Sequence, residues 1–255
     1  MTLLSILAAT LAGGVVSVWL AASVALTWLP RIADRLLAFA VGILLAFALT
    51  RIAPEAVHLG LEPEAVGYGL LAGILAFFLL ERAILWRHDH APVPGEAGHA
   101  AHLGSAQVAL VVLGDGLHNF VDGVLIAAAF LVDPVLGWST AAAVLAHELP
   151  QELGDFTILL AAGCTRRRAL ALNALSGLGM VLGGVAGWLT LTGSGEWLPW
   201  VLVAAAASFL YLALTDLLPA LNRRRRLADT ALQMGLLALG VGIVTLVNEL
   251  LPHVH

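Results

Sequence analysis

Two apolar stretches of this chain carry residues that bind metal ions, at spacings that put them on common helix faces. Residues 106–131 contain Asp115, His118, Asn119 and Asp122. Residues 139–163 contain His147, Glu148, Gln151, Glu152 and Asp155. At helical pitch His118 and Asp122 share a face, as do His147, Gln151 and Asp155, with Glu148 and Glu152 on the strip beside them. Imidazole nitrogen with carboxylate and amide oxygen is the donor set of a borderline divalent cation: Zn²⁺, Fe²⁺, Mn²⁺ or Cd²⁺ rather than Cu⁺, since neither stretch offers a thiolate or a thioether.

Five carboxylates in two apolar helices need a reason. Each costs about 2.5–3.5 kcal/mol at a bilayer centre on insertion scales, and packing alone does not return that. Asp115, His118, Asn119, Asp122, His147, Glu148, Gln151, Glu152 and Asp155 are together the candidates for holding a metal ion or passing it along a path. Pro150 removes one amide and leaves the Ala146 carbonyl without its helical donor, which predicts a kink beside these ligands.

The elements that hold them follow from composition. Of 255 residues, 60% are hydrophobic and only 11% charged, outside the range of a water-soluble domain. Runs long enough to cross a bilayer fall at about 4–29, 36–57, 66–86, 106–131, 139–163, 169–192, 198–220 and 230–251. The expectation is an all-α membrane protein of eight transmembrane helices, one domain over residues 1–255, surrounded by lipid.

Every basic residue is an arginine. Arg31 and Arg35 follow span one, Arg82 and Arg87 close span three, Arg166 to Arg168 follow span five and Arg223 to Arg226 follow span seven. Positive charge is retained in the cytoplasm, so these four connections face inward and both termini are expected outside the cell membrane. The net charge of −5, with many acids inside spans, gives no basis for nucleic-acid binding. No basic residue precedes the first apolar run, which is read as a span rather than a cleaved leader. Cys164 is the single cysteine, so neither an internal disulfide nor a thiolate cluster is open to one chain.

Residues 48–54 read Ala-Leu-Thr-Arg-Ile-Ala-Pro and residues 213–219 read Ala-Leu-Thr-Asp-Leu-Leu-Pro. Span two runs outward and span seven inward, which suggests that spans one to three and six to eight are inverted repeats around spans four and five. Asn173, Ser176, Ser208, Tyr211, Asp216, Asn248 and Glu249 are read as interhelical or interfacial contacts. A cytoplasmic connector at about 88–105 bears His88, His90, His99 and His102, a second, looser candidate for metal binding.

His118-Asn119-x-x-Asp122-Gly123 followed by His147-Glu148-x-Pro150-x-Glu152-x-Gly154-Asp155 closely resembles the paired signature of the ZIP (Zrt/Irt-like) divalent-metal transporters, in their histidine-rich subgroup. That resemblance implies a two-metal site at mid-membrane, with His118, Asp122, His147 and Gln151 as the main ligands and Asn119, Asp122 and Glu148 as an adjoining set. It implies transport of Zn²⁺ or a similar ion, as substrate, toward the cytoplasm, with no catalytic cofactor, and it is compatible with a homodimer. Three departures stand out. Gln151 replaces a second histidine, Phe47 and Arg51 stand where the subgroup usually has an Asp and a His of span two, and the span-six carboxylate of some relatives is missing, with Asn173 and Ser176 nearby.

Two other readings compete with transport. His147-Glu148 opens the H-E-x-x-H pattern of a zinc hydrolase, with Glu as base, but Gln151 fills the second ligand place. A metal-free pore accounts for the carboxylates and gives the two histidines no task.

Overall fold

The structure is a computed structural model that describes residues 1–25, 29–89, 99–221 and 227–250. Among these residues there is no strand, and eight helical runs follow one another: 2–25, 29–58, Pro63–Asp89, His99–Val132, Pro134–Ala161, Arg166–Leu191, 198–221 and Leu227–Leu250. They are numbered below as spans one to eight. Seven contain a segment long and apolar enough to cross a membrane. Span five is the exception, because Glu148, Glu152 and Asp155 lower its apolarity. At 28 residues it is still long enough to cross.

Local sequence explains the sharp turns on either side of span five. Asp133 caps its start, the side chain accepting from the amides of Val135 and Leu136 at 2.8 and 3.0 Å, with Pro134 in the first turn. Its end is a Schellman turn. Gly163 takes φ +88°, the Cys164 amide reaches the Leu159 carbonyl and the Gly163 amide reaches that of Leu160, both at 3.0 Å. The helix passes through Pro150 without a break in its assignment.

The connector expected at 88–105 is shorter than the sequence suggests. Span three is helical to Asp89 and span four starts at His99, so His88, His99 and His102 stand on helical backbone. The run from His99 to Ala106 has no proline to oppose helix. His90 lies outside the described residues.

The packing pattern obeys an exchange of one with six, two with seven, three with eight and four with five. Span two packs on eight and span seven on three; span four packs on six and span five on one; span two also packs on five, and span seven on four. The two similar heptapeptides adopt the same unusual local form. Ala48–Ile52 and Ala213–Leu217 are both π-helical. In each, the threonine hydroxyl donates to the carbonyl four residues back, Thr50 to Ala46 at 2.7 Å and Thr215 to Tyr211 at 2.9 Å. Pro54 has no amide for the Thr50 carbonyl, and Asn248 of span eight donates to that oxygen at 3.4 Å and to the Thr50 hydroxyl at 3.0 Å.

Small residues bring the backbones of the centre together. A methyl group on Gly14 would stand 2.1 Å from the carbonyl oxygen of Gly177, and one on Gly177 would stand 1.9 Å from that of Gly14. Spans one and six therefore cross at a mutual glycine contact. Spans four and six approach as closely at Gly123, against the Met180 carbonyl, and at Gly183, against that of Phe120. Spans three and eight bury little of their length inside the bundle, as helices facing lipid do.

Candidate metal centre

Spans four and five pack against each other, and their polar strips meet there. The His118 and His147 Nε2 atoms are 3.3 Å apart. Asp122 Oδ2 lies 3.0 Å from His147 Nε2 and 3.8 Å from His118 Nε2. Glu148 Oε1 lies 3.6 and 3.7 Å from the same two nitrogens. An ion bonded to nitrogen and oxygen at about 2.0–2.1 Å in a tetrahedron needs donor atoms about 3.3–3.4 Å apart. The five separations bracket that edge length, and all four donors lie within 4.8 Å of one another, so the four side chains could hold one ion between them.

The surroundings prepare these donors. His147 Nδ1 faces the Ala143 carbonyl at 3.2 Å. A carbonyl only accepts, so Nδ1 carries the proton and Nε2 presents its lone pair to the cluster. The Phe209 ring of span seven packs edge-on against His147, with centroids 5.6 Å apart. Asp122, His147 and Glu148 are fully buried, and both oxygens of Asp122 and of Glu148 lack a hydrogen-bond donor. Unsatisfied carboxylate oxygens at this depth are costly, and a cation is the partner that satisfies them.

The cluster of facing donors differs in one respect from the set implied by the resemblance. The resemblance implies Gln151 beside His118, Asp122 and His147; here its amide nitrogen donates to Asp115 Oδ1 at 3.2 Å, and Glu148 is the fourth donor that faces the other three. The cause is geometric: Glu148 follows His147 directly and reaches across to span four, whereas Gln151 is one turn further along. Asn119 also turns toward Asp115, donating to its Oδ1 at 3.0 Å and to its backbone carbonyl at 3.1 Å. Ser176 of span six donates to Asp115 Oδ2, and Asn173 donates to the backbone carbonyl of Glu152 at 3.3 Å. Asn173 and Ser176 are thus interhelical contacts, as expected, but Ser176 and Phe209 also contact the site directly, and nothing in their spacing marked them for it.

A cavity of about 550 Å³ reaches the cluster from one end. Asp115, His118, Gln151 and Asp155 line it, with Phe77 of span three and Tyr211 of span seven. Arg51, one of the departures in span two, is buried within the π-helical turn Ala48–Ile52.

A family model described as ZIP Zinc transporter matches residues 87–248, more than half of the 255 residues. The chain belongs to this family. Zinc transporter foi of Drosophila melanogaster is 41% identical over 145 residues, 56% of this chain and 20% of that protein. Human Zinc transporter ZIP5 is 45% identical over 168 residues, 62% of this chain and 31% of its own length. Mouse Metal cation symporter ZIP14 is 45% identical over 113 residues, 44% of this chain and 23% of its own. The matches thus span between a fifth and a third of these relatives, and the stretch matched by the family model, residues 87–248 of this ZIP chain, includes both polar strips.

Proposed function

We propose that this ZIP-family chain carries a divalent metal ion, Zn²⁺ foremost, across the membrane toward its arginine-rich side, with His118, Asp122, His147 and Glu148 as the ion's stopping place. The observation that carries the reading is the set of donor separations between 3.0 and 3.8 Å. Side chains that served only to glue two helices would pair off with donors, and these carboxylates have none.

The cavity supports this direction. Its lining residues Leu37, Leu80, Val111, Asp155 and Leu217 occupy the halves of their spans that lead to the arginine-bearing connections. On the far side Leu44, Phe47, Ile126, Val144 and Phe209 are buried. This shape supports a site open toward the arginine-bearing side, as in a carrier poised to release its ion there. A pore open at both ends does not fit this shape.

The hydrolase alternative loses its base. Glu148 approaches both histidine nitrogens within 3.7 Å and so sits among the ligands, while Gln151 is engaged with Asp115. Asn119 and Gln151 are assigned supporting roles around Asp115, Asp155 the cavity mouth, and the connector histidines a receiving role at the inner surface. The test is uptake of ⁶⁵Zn²⁺ into proteoliposomes containing chelator. Uptake that depends on the protein and disappears in Asp122→Ala is expected; equal uptake with and without protein would overturn the reading.

A further inference from the structure

A second group of donors adjoins the first on its cavity side. One carboxylate oxygen each from Asp115, Glu148 and Glu152 lies within 4.8 Å of the others. All three residues are buried, Glu152 with 0% and Asp115 with 6% of its surface exposed. Both Glu152 oxygens lack a hydrogen-bond donor, and so do Asn119 Oδ1 and Gln151 Oε1. Asp115 is held firmly from three sides, by Asn119, Gln151 and Ser176. Fixed orientation by neighbouring donors is how proteins aim a ligating carboxylate.

Three buried carboxylates with no basic side chain among the residues that hydrogen-bond them present a concentrated negative charge that a cation offsets. Around an octahedral ion bound at about 2.1 Å, oxygens stand about 3.0 Å apart when adjacent and about 4.2 Å when opposite, separations that the cluster can meet. Glu148 belongs to both groups. Asp115, which lines the cavity, is three residues before His118, and Glu152 is four after Glu148, about one helical turn along its antiparallel neighbour in the same direction.

We propose that Asp115, Glu148 and Glu152 form a second divalent-cation position, one helical turn closer to the cytoplasm, made of oxygen alone and loaded through the shared Glu148. It differs from the adjoining set of Asn119, Asp122 and Glu148 that the family resemblance implies. It rests on the metal-carrier reading above and deepens it. The two positions differ in chemistry: imidazole in the first holds Zn²⁺ tightly, while carboxylate oxygen in the second takes a harder ion such as Mn²⁺ and releases Zn²⁺ readily. An ion moving inward thus leaves nitrogen for oxygen without crossing an unliganded gap.

The test uses the full chain purified in detergent, with Zn²⁺ binding read by calorimetry and Mn²⁺ binding by loss of the free-ion electron paramagnetic resonance signal. The Zn²⁺-loaded protein is expected to take one Mn²⁺ per chain. Glu152→Gln should keep Zn²⁺ affinity within about twofold and weaken Mn²⁺ at least tenfold, whereas Glu152→Asp, which retains the charge, should bind Mn²⁺ more tightly than Glu152→Gln. Zn²⁺-loaded protein that takes no Mn²⁺, a Glu152→Gln variant that binds it as the parent does, or a Glu152→Asp variant no better than Glu152→Gln would each overturn the second position. Failure of the first site shows separately, as Zn²⁺ affinity unaltered by His118→Ala.

Discussion

Removing the His118 imidazole takes one donor from the four-donor cluster and leaves Asp122, His147 and Glu148 in place. His118 is partly exposed to the cavity, so the change opens space rather than stranding a buried group, and the fold should survive it. Uptake by His118→Ala is expected to fall at least tenfold, with a thermal unfolding midpoint in detergent close to the parent. A midpoint that collapses along with uptake would assign His118 to stability instead. Gln151→His is expected to act in the opposite sense. It places a nitrogen donor next to the four-donor group, so Zn²⁺ affinity should rise severalfold while turnover slows, because release becomes the harder step. Calorimetry and initial uptake rates moving in the same direction would remove Gln151 from the neighbourhood of the ion. At this scale the sequence was informative because charged and imidazole side chains inside apolar runs have few structural explanations. The resemblance puts Gln151 in the main set and Glu148 in the adjoining one, whereas Glu148 stands within 3.7 Å of both imidazoles: the two are about one helical turn apart, and the crossing of spans four and five decides which one reaches the nitrogens.

Helix crossings are where the glycines matter. The Gly14 and Gly177 backbones touch so closely that a methyl group on either would meet a carbonyl oxygen at about 2 Å, and a backbone oxygen cannot rotate away as a side chain can. Gly177→Ala must push spans one and six apart, and span six carries Ser176, the donor to Asp115. Overpacking of this kind costs about 1–3 kcal/mol. The variant should unfold several degrees lower and lose uptake. Gly67→Ala is the control, because nothing lies within 4 Å of its added carbon and alanine favours helix. Equal midpoints for Gly177→Ala and the control would mean that the crossing is looser than described. The eight helices themselves were legible from apolar length and arginine placement. Their ends were legible less well, since residues 99–105 have no periodic apolar pattern and become helical only as the lead-in to span four. The π-helical turns were invisible in advance. The matched Ala-Leu-Thr runs signalled a repeat, but a fifth residue in a turn leaves no mark on composition.

At the scale of the whole molecule, the exchange of spans one to three with six to eight predicts a second arrangement in which the cavity opens on the opposite face. In the proposed orientation the present arrangement is the inward one, with Phe77, Leu117 and Tyr211 lining the opening. Leu117 is exposed, lies one residue from His118, and is apolar, so a cysteine there reports access without removing a ligand. In a Cys164→Ala background, itself a small change at a buried thiol, Leu117→Cys should react with a membrane-impermeant maleimide in inside-out vesicles and not in right-side-out ones. Added Zn²⁺ should slow the reaction severalfold, because an ion held by His118 and Asp122 sits across the same wall of the cavity. Two results would count against the inward arrangement: labelling from the outside at a comparable rate, or labelling from the inside that Zn²⁺ does not slow. The first would show a cavity continuous with the outer face. The second would show that Leu117 meets lipid rather than the ion path, and the four-donor group would then have no route to the cytoplasm along span four.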